Sequence, residues 1–77
     1  MLLDVSILNL SRVVFEGQAQ RVTVSGEEGV FEILPFHKRI LSRLITGAVI
    51  VDQQSFPIRR GIIKVNQNAV TIILEER

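Results

Sequence analysis

Apolar and polar residues alternate with a period of two in Leu3-Asp4-Val5-Ser6-Ile7, and the rhythm returns in Gln20-Arg21-Val22-Thr23-Val24-Ser25. Period two is the mark of a strand with one buried face, which turns Val22 and Val24 inward. Asn9 and Ser11 predict a turn, after which Arg12-Val13-Val14-Phe15-Glu16 is β-branched and aromatic and ends at Gly17. A strand over Val30 to Leu34 follows, and Gly47 opens a continuous apolar strand, Ala48-Val49-Ile50-Val51. Asp52 to Ser55 is a polar turn. Phe56 and Ile58 make a short strand, and Pro57 between them places it at a sheet edge or a bulge, because proline has no N–H to donate. Ile62-Ile63-Lys64-Val65 and Ala69 to Leu74 flank Asn66-Gln67-Asn68. Asparagine tolerates positive φ best after glycine, so these two runs read as a hairpin. Eight or nine short strands at close spacing predict an all-β fold, a small antiparallel β-sandwich or barrel of about 8–10 strands.

Between the third and fourth strands lies Ser25-Gly26-Glu27-Glu28-Gly29-Val30, where two glycines bracket an acidic pair. Glycine reaches backbone angles closed to other residues, so this is a tight loop with a negatively charged tip. Pro35 pushes Leu34 toward extended geometry and stops the next strand, leaving a rigid corner at Pro35-Phe36-His37. Lys38 to Thr46 is ambiguous. Ile40, Leu41, Leu44 and Ile45 fall at helical spacing with Lys38, Arg39 and Arg43 opposite, yet the run is only two turns long.

Composition changes this picture in one respect. The 77 residues make a single domain, 1–77, with no room for a second core. Apolar residues are 47% of a chain that must expose much of its surface, so a surplus is left outside. Val13-Val14-Phe15, Ile33-Leu34, Ile62-Ile63 and Ile72-Ile73-Leu74 offer apolar groups to both faces, where one face of each sheet should be wet. A larger protein is expected to cover that surplus. Net charge is +1, too near balance to draw the chain to nucleic acid or an anionic membrane. The absence of cysteine excludes disulfide and thiolate-metal scaffolds. No run approaches the roughly 18 apolar residues of a membrane-spanning helix. The N-terminus has no secretory pattern, so a soluble, cytoplasm-type domain is the default expectation.

A catalytic set is hard to build from these residues. His37 is the single histidine and sits on a proline corner, where a turn histidine satisfied by backbone groups is the simpler reading. Glu27-Glu28 has the composition of a paired-carboxylate site, but adjacent loop residues point apart. One histidine with scattered acids makes no metal shell. Gly26 to Gly29 carries negative charge where a phosphate would sit. Nucleic-acid binding wants aromatic platforms and a basic groove, whereas the four aromatics are all phenylalanine and the cations are split between Lys38-Arg39-Arg43 and Arg59-Arg60. The residues alone therefore predict a non-catalytic all-β interaction module with no cofactor and no metal.

An ordered set of motifs goes further. Leu3-Asp4-Val5, Phe15-Glu16-Gly17, Val22-Thr23-Val24-Ser25-Gly26-Glu27-Glu28-Gly29, Ile33-Leu34-Pro35 with His37, Gly61-Ile62-Ile63-Lys64-Val65 and Val70-Thr71-Ile72 follow one another along nearly the whole chain. In that order they resemble the N-terminal β-sandwich of the epsilon subunit of F-type ATP synthases (delta in mitochondrial naming). The resemblance implies a ten-stranded sandwich, with Lys38 to Thr46 extended rather than helical. It also implies a non-enzymatic role at the foot of the central stalk, on the cytoplasmic face of an energy-coupling membrane, bacterial by expectation. The implied partners are the gamma subunit and the c-ring, with no nucleic acid and no membrane contact except through the complex. The residues expected to touch those partners are Glu27, Glu28, Val30, His37, Arg39 and Ser42. The competing class is a free-standing β-domain that binds nucleic acid or another protein.

Four departures qualify the resemblance. Glu32 and Phe36 replace glycines usual around I-L-P, so the corner's backbone is expected to differ. Val30 falls where many members carry an acid, for which Glu27 or Glu28 could substitute. Lys38-Arg39 and Arg59-Arg60 add charge. Members also commonly continue into a helical hairpin that inhibits ATP hydrolysis, whereas this sequence stops at Arg77; the isolated chain is expected neither to bind ATP nor to inhibit.

Overall fold

A computed structural model of the chain describes residues 1–75. Eight strands follow in order: β1 (Leu3–Leu8), β2 (Val13–Ala19), β3 (Val22–Gly26), β4 (Gly29–Ile33), β5 (Ile40–Val51), β6 (Gln54–Ile58), β7 (Gly61–Asn66) and β8 (Ala69–Leu74). Two fewer are present among the described residues than the ten the resemblance implies. Part of the difference is β5, which runs unbroken for 12 residues through Gly47, where a new strand was expected to open. The helical spacing of Lys38 to Thr46 comes to nothing, because Ile40 to Leu44 pair with β7 instead. A long-range ladder overrides a local periodicity of two turns.

Hydrogen bonds join all eight strands in one curled sheet, β2-β1-β8-β7-β5-β3-β4, with β6 also on β5. Strand β5 turns the corner. Its first half pairs with β7, and its second half, Gly47 to Val51, pairs with β6. Residues 49–51 pair on their other edge with β3. One layer is therefore β2-β1-β8-β7 with the start of β5, and the other is β4-β3 with the end of β5 and β6. The bend needs Gly47, because a Cβ there would overlap the Ser25 side chain. Ser25 Oγ instead accepts the Ala48 N–H at 3.3 Å, and Thr46 Oγ1 donates to the Arg59 carbonyl at 3.1 Å.

The far side is closed by side chains. Phe15 on β2 and Phe56 on β6 meet with ring centroids 5.6 Å apart, tilted 58°. Beside them the Asp52 carboxylate accepts the N–H groups of Gln20 and Arg21 (2.9 and 3.1 Å), tying the β2–β3 connection to the β5–β6 turn. Strand β6 pairs only with β5, so Pro57 does lie in an edge strand. One feature departs from the antiparallel expectation: β1 and β8 are parallel, while the other pairings are antiparallel.

Inward residues of both layers form one apolar cluster, including Leu3, Val5 and Ile7 of β1, Val22 and Val24 of β3, Leu44 and Val49 of β5, and Ile63 and Ile72 of β7 and β8. No charged or polar side chain is buried among the described residues. The core is thus a plain hydrophobic one, and any specific chemistry must lie on the surface.

Candidate functional site

The two turns that bound β4 lie at opposite ends of the molecule. Gly26 pairs with Gly29 at the tip of the β3–β4 hairpin, whereas Val22 pairs with Ile33 at its open end, next to the Pro35 corner. A hairpin necessarily separates its tip from its open end, so the acidic pair and His37, expected together as contact residues, lie at different ends. Glu27, Glu28, Val30 and Ser42 come together beside a shallow cleft of about 370 Å³ between β4 and the start of β5. His37 and Arg39 follow the corner, beyond the other end of β4.

At the tip end a line of register runs from Gly26 to Leu44, Gly61 and Leu74 across β3, β5, β7 and β8. Next to it, on the outer face, Leu8, Ile73, Ile62 and Arg43 are successive cross-strand partners. Ile62 and Ile73 are each about half exposed, and Leu10 in the β1–β2 loop is 88% exposed. With Ile45 they line a groove of about 700 Å³ edged by Glu27, Arg43, Arg60 and Glu75. The rim charges are partly paired, Arg43 with Glu27 at 3.9 Å and Arg60 with Glu75 at 3.6 Å. An apolar floor with a charged rim is the anatomy of a protein–protein contact.

Sequence reading located the surplus in Ile62-Ile63 and Ile72-Ile73 but missed that Leu8, Ile73 and Ile62 form one row. The parallel β1–β8 register that aligns them is a long-range fact with no local signature. Ile45 and Leu10 were missed for the same reason.

The corner end is built differently. His37 N–H donates to the Leu34 carbonyl at 3.1 Å, closing a turn with Pro35 and Phe36 at its centre. Phe36 has φ 70°, the conformation glycine normally supplies at the third position of a type II turn. The backbone expected to change with the loss of glycine is therefore that of a glycine turn, and phenylalanine has been forced into it. The Phe36 N–H donates to Asn68 Oδ1 at 2.7 Å. Asn68 and Gln67 both have positive φ (66° and 52°) in the two-residue β7–β8 turn, as the asparagine-rich sequence predicted. The His37 ring places Nδ1 2.7 Å from the Lys38 carbonyl, which can only accept, so Nδ1 carries the proton. The histidine is satisfied by backbone, as a turn residue.

Among the described residues no group of three or more His, Asp or Glu side chains could hold a metal ion. No described helix is long and apolar enough to cross a membrane. The arrangement is that of a small β-sandwich whose two ends are differently made. The chain belongs to the family described as the ATP synthase Delta/Epsilon chain, beta-sandwich domain, which it matches over residues 2–76. It is similar to the ATP synthase epsilon chains of Nitratiruptor sp. (32% identical, 95% of this chain, 60% of the relative) and Sulfurovum sp. (29%, 96% and 62%). The epsilon chain of Rickettsia typhi is 30% identical, with 95% and 73% covered. The chain spans about three-fifths of the length of the first two. In fold it resembles a chain from the central stalk and c-ring structure of the Tetrahymena thermophila mitochondrial ATP synthase (TM-score 0.83, 15% identity, 96% of this chain and 63% of that one). A chain of the Euglena gracilis mitochondrial enzyme is similar too (TM-score 0.87, 18% identity, 95% and 50%).

Proposed function

We propose that this chain serves as the β-sandwich of an epsilon-type central-stalk subunit in a rotary ATP synthase. It packs on the gamma subunit, touches the c-ring, and helps couple ion translocation to ATP synthesis without catalysing any step. The observation that carries the gamma contact is the apolar row of Leu8, Ile73 and Ile62 with Ile45 and Leu10, on a face that no described element covers. A stalk subunit that transmits torque needs a contact that does not slip, and an apolar floor with a charged rim supplies both burial and register. Glu27 borders that contact and Glu28, Val30 and Ser42 line the neighbouring cleft, while His37 and Arg39 belong to the end left for the ring. The subunit belongs to a complex peripheral to the membrane, on its cytoplasmic face in a bacterium.

The test is binding of the 77-residue chain to the purified gamma subunit of the same enzyme, with and without Ile62→Asp and Ile73→Asp. Tight binding lost in the double variant, with the β-sheet circular dichroism retained, is the expected result. A chain that ignores gamma but shifts labelled single-stranded DNA in a salt-sensitive way would instead be a free-standing nucleic-acid module.

A further inference from the structure

Strands β2 and β4 end the sheet order, and β6 lies off it against β5, so each pairs on one side only. An open edge presents unpaired N–H and C=O groups to any extended chain, and proteins usually spoil such edges with bulges, prolines or charge. Strand β2 is blunted by a bulge where its register slips opposite Ile7 and Leu8, leaving Val14 without a partner. Strand β6 contains Pro57, which has no N–H to offer. Strand β4 has neither device. It keeps one unbroken register with β3 and carries no proline, no lysine and a single charge, Glu32. Its backbone is also set out for pairing. Gly26 and Gly29 flank a two-residue loop, where the flanking residues exchange both hydrogen bonds. Alternation then commits the N–H and C=O groups of Phe31 and Ile33 to β3 and turns those of Val30 and Glu32 outward. No other described strand meets them. Val30 stands 71% exposed, and Phe31 is half-buried against the core at the sheet edge.

We propose that the free chain forms a dimer in which β4 pairs antiparallel with β4 of a second copy, about a two-fold axis at Phe31. A strand can partner itself when the two-fold leaves every opposed pair compatible, and the charge pattern of β4 selects one such register. Centred on Phe31, Val30 lies opposite Glu32 of the second copy on both sides of the axis, and these outward-turned residues make about four backbone hydrogen bonds. The two Phe31 residues become a non-hydrogen-bonded pair, the closer kind, and meet as aromatics on the core face. Slipping to the next hydrogen-bonding register in one direction sets Glu32 opposite Glu32, and in the other sets Glu32 opposite Glu28. Like charges directly opposed are unfavourable, so both slips are resisted. The pairing uses the edge of β4 rather than the apolar groove and does not depend on the stalk function.

The experiment follows the mass of the 77-residue chain by sedimentation from about 1 μM to about 1 mM, because so small an interface makes a weak dimer. A shift from monomer to dimer across this range is expected, with amide exchange at Val30 and Glu32 slowing as the dimer forms. Val30→Glu sets a carboxylate opposite Glu32 on both sides of the axis and should raise the dissociation constant at least about tenfold. Val30→Lys sets the opposite charge there and should keep or tighten the dimer. Val30 is exposed, so both variants should retain the wild-type circular dichroism. A chain that stays monomeric at the highest concentration overturns the proposal. So does a dimer that survives Val30→Glu, or one that Val30→Glu and Val30→Lys weaken alike. A dimer in which the Val30 and Glu32 amides exchange freely overturns it as well. Loss of the dimer in Ile62→Asp/Ile73→Asp, with Val30→Glu still dimeric, places the self-contact in the apolar groove and also overturns it.

Discussion

The two turns at either end of β4 solve one backbone problem in opposite ways. At the hairpin tip the residue with positive φ is Gly29 (φ 127°), and a Cβ placed there would meet nothing within 4 Å. At the corner the residue with positive φ is Phe36, which has every steric reason to avoid it. The tip is a turn made by residues suited to turning, with charges facing water. The corner is a turn imposed by its neighbours on a residue suited to something else. Local sequence chemistry explains the first turn completely. It does not explain the second.

The largest effect that separates the two ends is expected at the tip end. Ile62→Asp with Ile73→Asp removes two half-exposed side chains, each with about half of the roughly 1.5–3 kcal/mol of a full burial left to gain. Association with gamma should therefore fall by more than about tenfold, at roughly 1.4 kcal/mol per decade. Both are outward-facing, so the free chain should still fold, with a thermal midpoint lowered somewhat because the two aspartates stand directly opposite one another. Equilibrium binding and a melting curve on the same sample decide it; unchanged affinity would mean the apolar row is not the gamma contact.

Next in size are two changes that probe the backbone at each end. Gly29→Ala has open space for its methyl group, so its cost is purely conformational and should be about 1–3 kcal/mol in chemical denaturation. A cost near zero would show that the tip relaxes freely. Asn68→Ala removes the acceptor for the Phe36 N–H and an αL-tolerant residue together, for about 1–2 kcal/mol. Asn68→Gly keeps the turn and loses only the acceptor, so it should cost less. If Asn68→Gly matched Asn68→Ala, the strained corner would depend on the brace alone.

How much of this was legible in the sequence follows the same division. Strands β1, β3, β7 and β8, the β7–β8 turn and the edge position of Pro57 all rest on interactions within a few residues, and period and turn chemistry revealed them. The continuity of β5 through Gly47, the parallel pairing of β1 with β8, and the brace from Asn68 to Phe36 join residues far apart in the chain. Nothing local encodes them. The candidate contact residues could be named from the sequence as individuals, but which of them lie side by side could not. Glu27 and His37 stand 10 positions apart in sequence, with β4 between them.

The smallest effect is expected from the charge on the tip. Glu27 reaches Arg43 at 3.9 Å with both side chains more than half exposed, and such surface pairs add little to stability. Glu28 belongs to no ion pair among the described residues, so Glu28→Lys should change folding stability by less than about 0.5 kcal/mol. Its effect belongs to association instead. If the acidic tip at the edge of the apolar groove steers a basic surface of gamma, Glu28→Lys lowers the association rate at low ionic strength. The rates of variant and wild type then converge as the screening length shrinks to about 8–10 Å near physiological salt. The dissociation rate should hardly move, because the rim excludes water without carrying the buried energy. Lys38→Glu is the matching change at the corner and should leave gamma association untouched while slowing association with the ring. Stopped-flow association at two salt concentrations, with gamma and ring measured separately, gives the full two-by-two comparison. If Glu28→Lys and Lys38→Glu slow both partners equally, the ends share one partner surface, and the separation along β4 has no counterpart in function.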